Sequence, residues 1–314
     1  MSVYTSVSHA EMAEYLQQYD VGDFLNHEGI SAGVENSNFF VYTDRGSFVL
    51  TLVESVEAEK LDFILGLIDY LGENGLPCAH PIHLTNGELY GVLNNKPAVL
   101  ANCLKGQPLK TPTLKQAETI GSTLAQFHQL SSSMELDEYI HIPQWCSELA
   151  ARVFPKLNKE QQTLLQSALM EAGDLDWTTL PSGPVHADLF PDNAMFVEDK
   201  LSGLIDFYHA CSTPYLYDLC VTLNAWCFSE TTNEFDSLKA KALLSSYQET
   251  RPLDPMEIGL LPVMMRIAAL RFWLSRLRDY HFPLSGEQVT QKSPLGKESL
   301  LRLLGYLPLE NLVA

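Results

Sequence analysis

The chain is predicted to be an α+β protein of two lobes, an N-terminal antiparallel-sheet lobe over residues 1–104 and a mainly helical C-terminal lobe over 105–314. Three observations predict it. At 314 residues the chain is too long for one small core and suits two packed units. Up to Ala101 short apolar runs of strand length alternate with turn residues, and helical stretches only interrupt them. Beyond Asn102-Cys103-Leu104-Lys105-Gly106 that texture gives way to helical periodicity.

In order along the chain, Ser8-His9-Ala10-Glu11 is a capping box and predicts a short helix through Met12, Tyr15 and Leu16. Residues 29–38 carry glycines and small polar residues between two candidate strands, the second being Phe39-Phe40-Val41-Tyr42. Arg45-Gly46 turns the chain into a third strand over 47–53. Across 58–71, Leu61, Ile64, Leu65 and Ile68 recur on one helical face, and the segment from Gly72 to Pro77 ends that helix. Asn86-Gly87, flanked by His83-Leu84-Thr85 and residues 88–93, predicts a hairpin, and 97–101 a buried strand. Residues 114–130 read as a helix with Ile120, Leu124, Phe127 and His128 inward, His128 being a packed, hydrogen-bonded histidine rather than a ligand. A second long helix spans 261–280, and 194–197 with 201–205 flank the polar turn Glu198-Asp199-Lys200 as a hairpin.

Charge and cysteine usage narrow the function classes. Twenty basic against 39 acidic residues give a net charge of −19, which argues against nucleic-acid or anionic-membrane partners. An anionic ligand must therefore be held locally, by a metal ion, helix N-termini or backbone amides. Cys78, Cys103, Cys146, Cys211, Cys220 and Cys227 form no C-x-x-C pair and read as buried free thiols. With no signal-peptide pattern after Met1 and no run of about 18 apolar residues, a reduced, cytoplasmic setting is expected.

The chemistry is concentrated in Val185-His186-Ala187-Asp188-Leu189-Phe190-Pro191-Asp192-Asn193 and, after the hairpin, Leu204-Ile205-Asp206-Phe207. Phosphoryl transfer asks little covalent work of a protein. It needs a carboxylate facing the acceptor hydroxyl, and oxygen ligands that hold Mg²⁺ against the nucleotide phosphates. Asp188, Asn193 and Asp206 supply these groups in that order, with a tight turn at Pro191-Asp192 letting the first two converge. Set against this is an ordinary surface turn followed by an unrelated strand; an Asp ending an apolar strand favours the functional reading. Upstream, backbone amides near Gly33, Asn36, Ser37 and Asn38 are candidates for covering the nucleotide phosphates, a plain hairpin turn being the alternative. The stretch from Asn102 to Leu104 is either a hinge whose backbone meets the adenine edge or a simple linker between lobes.

Taken together, the glycine hairpin, the β-rich first lobe, H-x-D-x-x-x-x-N, Ile205-Asp206-Phe207 and Tyr217-Asp218-Leu219 resemble the aminoglycoside phosphotransferase and choline kinase-like superfamily. The closest branch is that of the homoserine kinases of threonine biosynthesis. It is matched by Gly33-Val34-Glu35-Asn36-Ser37-Asn38-Phe39, Phe48-Val49-Leu50-Thr51-Leu52, His186 to Asn193, Gly203-Leu204-Ile205-Asp206-Phe207-Tyr208, Leu223-Asn224-Ala225-Trp226-Cys227 and Ala269-Leu270-Arg271-Phe272. The resemblance implies a two-lobed protein kinase-like fold and transfer of the ATP γ-phosphate to L-homoserine. Asp188 would be the base, Asn193 and Asp206 the Mg²⁺ ligands, and Asp218 a support for the loop. The chain departs from related kinases at Thr51, where they carry a phosphate-gripping Lys; Lys60, Lys96 and Arg45 are the candidate replacements.

L-Homoserine is a small zwitterion, so its pocket needs a cation for the carboxylate. Arg271 and Arg266 lie in the apolar helix over 261–280, where an unpaired charge is costly; Arg271 either faces the pocket or pairs with Asp279 or Asp218. Tyr208, His209 and Asn224 are further acceptor-site candidates. Two other readings stand beside this one: a kinase for an aminoglycoside or choline-like alcohol, and a nucleotide-binding scaffold without transfer activity.

Overall fold

The computed structural model describes residues 5–30, 36–54, 56–134, 140–283 and 292–312. Gly33, expected near the nucleotide phosphates, lies outside the described residues. The chain forms two compact units that divide between Lys105 and Gly106, except that 202–208 belongs with the first.

The first unit opens with helix α1 (His9–Leu16), whose capping box is formed as expected, followed by β1 (Phe24–Ile30), β2 (Ser37–Thr43) and β3 (Gly46–Leu52). Helix α2 (Ala58–Glu73) then leads to β4 (Gly91–Leu93) and β5 (Lys96–Asn102). The strands make one antiparallel sheet in the order β1-β2-β3-β5-β4. Strict alternation along β2 buries Phe39 and Val41, which join Leu50, Leu52, Leu100, Met12 and Tyr15 in one apolar core. Tyr15 is the pin of α1, its hydroxyl donating to the Ala98 carbonyl (2.5 Å).

The hairpin sits elsewhere than Asn86-Gly87 suggested. Those residues close a local turn, with Leu84 N–H donating to Glu88 O, but build no paired strands. The hairpin is β4–β5, turned by Asn94 and Asn95 at φ +50° and +62°. Positive φ at both central residues is what a tight I′ connection demands, and asparagine tolerates it better than most residues.

The second unit contains β6 (Gln107–Pro108), α3 (Leu114–Ser131), α4 (Ile142–Val153), α5 (Lys159–Gly173) and β7 (Ser182–Val185). It continues through β8 (Ala194–Val197), the start of β9 (Lys200–Leu204), β10 (Cys211–Pro214) and four helices: α6 (Tyr215–Cys227), α7 (Ser237–Thr250), α8 (Pro255–His281) and α9 (Leu295–Leu304). Helix α3 lies along α7 at close range because Gly121 has no Cβ; one there would sit 2.2 Å from the Leu243 carbonyl. Helix α6 is buried almost all round, and α8 packs on α4, α5, α6 and α9 as the central rod.

Helix α8 starts at Pro255, earlier than the expected 261. Asp254 and Glu257 form a capping box there, and Pro262 is accommodated inside the helix rather than marking its start. By length and composition α8 could cross a membrane, with a mean hydropathy of 1.4 over its most apolar window. Leu261, Met264, Ile267, Ala268, Phe272 and Trp273 are instead buried inside the second unit, as expected of a core helix.

Candidate active site

Strand β7, paired antiparallel with β10, delivers the chain into the loop over 186–193. Ala187 sits at φ +61°, a left-handed conformation that a residue with a Cβ adopts only when its surroundings hold it there. The loop then bends back on itself, with Phe190 N–H donating to Asp188 O (2.8 Å) and Asn193 N–H to Phe190 O (3.0 Å). Trp226 of α6 ties down its middle through Nε1–H to Leu189 O (3.0 Å). The result is convergence: Asn193 Nδ2 donates to the Asp188 carbonyl (2.8 Å) and to Asp188 Oδ2 (3.1 Å). Those two acceptors fix the amide orientation, so Asn193 Oδ1 is the atom left to present to a cation. Asp188 itself is half-buried.

Beneath the loop is a buried chain of polar groups. Asp218, fully buried on α6, accepts from Ala187 N–H (2.7 Å, Oδ1) and His186 N–H (3.1 Å, Oδ2). Its Oδ2 also meets His128 Nε2 (3.0 Å), and His128 Nδ1 meets the Tyr247 hydroxyl (2.7 Å). Tyr247 in turn accepts from Arg251 (3.2 Å), which pairs with Glu257 (3.0 Å). Burial pushes the His128 imidazole below its ordinary value despite the Asp218 carboxylate beside it, so it is neutral. A neutral ring fits the chain in one direction only. Arg251 donates to Tyr247, Tyr247 donates to Nδ1, and Nε2–H donates to Asp218. His128 is thus the packed, hydrogen-bonded residue that its helix position suggested, and Asp218 carries the loop backbone.

The remaining predicted residues divide between the units. Asp206 belongs to the first, placed by Leu204, whose N–H donates to Pro77 O and whose carbonyl accepts from Ala79 N–H, both at 2.9 Å. Asp206 is exposed and, like Ala187, left-handed, at φ +63°. In the same unit Thr51 donates to Asn38 Oδ1 (2.7 Å) and hydrogen-bonds Tyr208, whose phenol burial and the Asp206 charge push up. Tyr208, an acceptor-site candidate, is therefore a neighbour of the nucleotide candidate Thr51 and of the metal candidate Asp206. Asn36 and Ser37 are buried and both engage Glu54: its N–H donates to Asn36 Oδ1 (3.1 Å), and its carboxylate accepts from Ser37 Oγ (2.6 Å).

Glu54 also pairs with Lys96 (2.5 Å); burial would raise its carboxyl, but Lys96 and Ser37 hold it below the usual range. Arg45, another of the three candidate cations, is paired with Asp20 at the opposite end of β3 from Thr51, about 20 Å away along a strand of that length. At the expected hinge, Asn102 N–H already donates to His80 O (3.1 Å) and Cys103 N–H to Ser47 O (3.3 Å).

Of the two arginines on α8, Arg266 makes a forked pair with Glu171 (2.6 and 2.9 Å) and is used up. Arg271 pairs with no carboxylate among the described residues; Asp218 serves the loop, and Arg278 is bonded to Asp279. Its guanidinium lies over the rings of Phe272 (4.4 Å) and Trp145 (5.4 Å). Phe272 meets Phe190 of the Asp188 loop edge-on at 4.9 Å. Asn224 donates to Met265 O (2.8 Å) and so bridges α6 to α8. Sequence reasoning missed Tyr247, Arg251 and Phe190, whose parts follow from packing between distant segments.

The phosphotransferase enzyme family matches residues 26–253. Over 303 residues the chain is 40% identical to a homoserine kinase of Methylobacillus flagellatus, covering 96% of this chain and 95% of that protein. It is likewise 40% identical to a homoserine kinase of Neisseria meningitidis serogroup B over 306 residues, 97% and 100% of the two chains. Among solved structures, an aminoglycoside phosphotransferase from Alicyclobacillus acidocaldarius superposes with a TM-score of 0.66 at 16% identity, over 97% of this chain and 93% of that one. A spectinomycin phosphotransferase superposes with a TM-score of 0.65 at 16% identity, over 98% and 97%. Those likenesses fix the fold as the two-lobed α+β architecture of protein kinase-like phosphotransferases.

Proposed function

The chain belongs to the phosphotransferase enzyme family, and from that premise we propose how its residues share the work of a homoserine kinase. The activity is transfer of the ATP γ-phosphate to the hydroxyl of L-homoserine, giving O-phospho-L-homoserine for threonine biosynthesis. Relatives of that activity match the chain nearly end to end at 40% identity, whereas the aminoglycoside enzymes share only the fold, at 16%. An aminoglycoside or choline-like acceptor and an inactive scaffold are set aside on that ground. A cytoplasmic setting agrees with six cysteines that form no disulfide.

One observation carries the division of roles: Asn193 holds Asp188 by both its carbonyl and its carboxylate. Asp188 takes the hydroxyl proton as the acceptor oxygen attacks. Asn193 orients that carboxylate with its Nδ2 and turns Oδ1 outward. Asn193 Oδ1 and the Asp206 carboxylate are hard oxygen donors, the set that suits Mg²⁺, an ion commonly bound by one or two protein groups plus substrate phosphates. When bound, the ion would neutralise charge on the transferring phosphoryl group. Asn38, Thr51 and the backbone from Asn36 to Asn38 line the nucleotide side, with Lys96, held by Glu54, the replacement for the missing strand lysine. Leu104, just past Asn102, meets the base. Arg271, stacked but unpaired, receives the acceptor carboxylate.

A coupled ATP/Mg²⁺ assay comparing homoserine, choline and kanamycin tests the acceptor, with turnover expected for homoserine alone. Asp188→Asn should lower kcat by roughly 10²–10⁴-fold while nucleotide affinity changes little. Arg271→Ala should raise KM for homoserine with kcat largely kept; an unchanged KM would move the carboxylate elsewhere.

A further inference from the structure

The loop bearing Asp188 is approached from the C-terminal end of the second unit by two lysines. Lys297, on α9, is only 3% exposed in a protein of net charge −19. Its ammonium lies 4.9 Å from the centre of the Phe190 ring and 5.9 Å from that of Phe272, and pairs with Glu230 Oε1 at 3.0 Å. Glu230 Oε2 takes Arg276 of α8 at 2.7 Å, and the same arginine donates to Ser293 O (3.2 Å). Space for this arrangement is built in: a Cβ at Gly296 would stand 2.5 Å from the Glu230 carboxylate. Two residues on from Phe190, Asp192 is met by Lys292 at 3.6 Å.

A buried ammonium needs a reason to be there, since hydrophobic residues of similar size would fill the site at lower cost. Glu230 compensates the charge but does not require it; Arg276 alone would satisfy that carboxylate. What only the cation supplies is attraction for the Phe190 face, in the stretch that joins Asp188 to Asn193. We propose that Lys297 is a positioning residue for phosphoryl transfer, holding the Asp188 loop through the Phe190 ring, with Glu230 and Arg276 fixing the ammonium in place. The proposal rests on the assignment of Asp188 as base, and its test is chosen so that the two can fail separately.

Titration supplies a distinguishing signature. Burial lowers the Lys297 ammonium to about 8, although Glu230 pulls the other way; Arg276 and Lys292 add to the lowering. As pH rises through that value the cation over Phe190 is lost and kcat should fall. Stability should move oppositely, because between about 8 and the ordinary 10.5 the unfolded chain binds the proton more tightly than the folded one, so this group favours folding increasingly as pH rises. A merely structural lysine would not separate the two.

The experiment measures kcat, both KM values and urea stability of the full chain from pH 6.5 to 9.5 for wild type, Lys297→Met, Phe190→Leu and the double variant. Expected are a loss of about tenfold in kcat at pH 7 for Lys297→Met, KM values within about twofold, and a flattened alkaline limb. The double variant should be no slower than the slower single one, since both changes cut the same link. Independent, multiplying losses would overturn the proposal, as would a wild-type pH profile in Lys297→Met. Should Lys297→Met fail to fold, Phe190→Leu decides alone: a retained alkaline limb near 8 overturns the proposal, its loss supports it. If Asp188→Asn leaves turnover intact, the base assignment fails instead, and the Lys297 comparison still reports on the loop.

Discussion

Asp218 shows how much one buried carboxylate decides. It accepts from His186 and Ala187 N–H and faces His128, so an amide in its place must turn a donor toward at least one donor. Asp218→Asn is expected to cost about 3 kcal/mol of stability and to reduce kcat roughly a hundredfold, because left-handed Ala187 loses what holds it. Tyr247→Phe leaves His128 Nδ1 and Arg251 without their shared partner and should cost less, about 1–3 kcal/mol, with a smaller loss of rate. Urea unfolding and steady-state kinetics on the pair check the ranking; equal effects would mean that the loop does not hang on Asp218. At this scale the Asp188–Asn193 pairing was legible because only five residues separate the two, and the support Asp218 gives the loop was legible through the family resemblance. Tyr247 and Lys297 were not. Tyr247 lies 119 residues from the histidine it serves, and no periodicity marks such a pairing.

At the scale of elements, local rules worked where one rule acted alone. The capping box at Ser8 and the amphipathic faces of α2 and α3 placed those helices within a residue or two of their ends. They misled where two signals competed. Asn86-Gly87 is the stronger turn dipeptide, yet Gly91–Leu93 finds its partner in β5, and that pairing puts the two-residue connection on Asn94-Asn95. Tertiary pairing therefore outweighed local turn preference. Asn95→Gly should then stabilise the protein by about 0.5 kcal/mol by removing part of the left-handed penalty, while Asn95→Val should destabilise it by more than about 1 kcal/mol. Chemical denaturation of both variants tests this, and a stable Asn95→Val protein would contradict the turn assignment. The early start of α8 was hidden for a similar reason: Pro262 reads as a boundary, but the Asp254–Glu257 box upstream holds the first turns.

For the whole molecule, the two-lobed α+β class could be read from a change in texture near Asn102, but the attachment of 202–208 to the first unit could not. It depends on Leu204 bonding Pro77 and Ala79, more than a hundred residues earlier. Acid sensitivity also belongs to this scale, because two effects oppose each other. Acidification relieves the self-repulsion of 19 excess negative charges, which favours the folded state. It also protonates histidine in the unfolded chain, and His128 cannot follow, since burial holds it neutral. Its contribution is complete above the ordinary value of 6.5 and is lost as pH falls below it, at up to about 1.4 kcal/mol per unit. In 0.5 M NaCl, where screening acts within about 4 Å, the second effect should win and the urea midpoint should fall between pH 6.5 and 5. His128→Gln keeps an amide donor for Asp218 but has nothing to titrate, so its midpoint should decline less over that window. A variant as acid-sensitive as wild type would show that the slope comes from other groups, and that the buried imidazole is not what ties stability to pH.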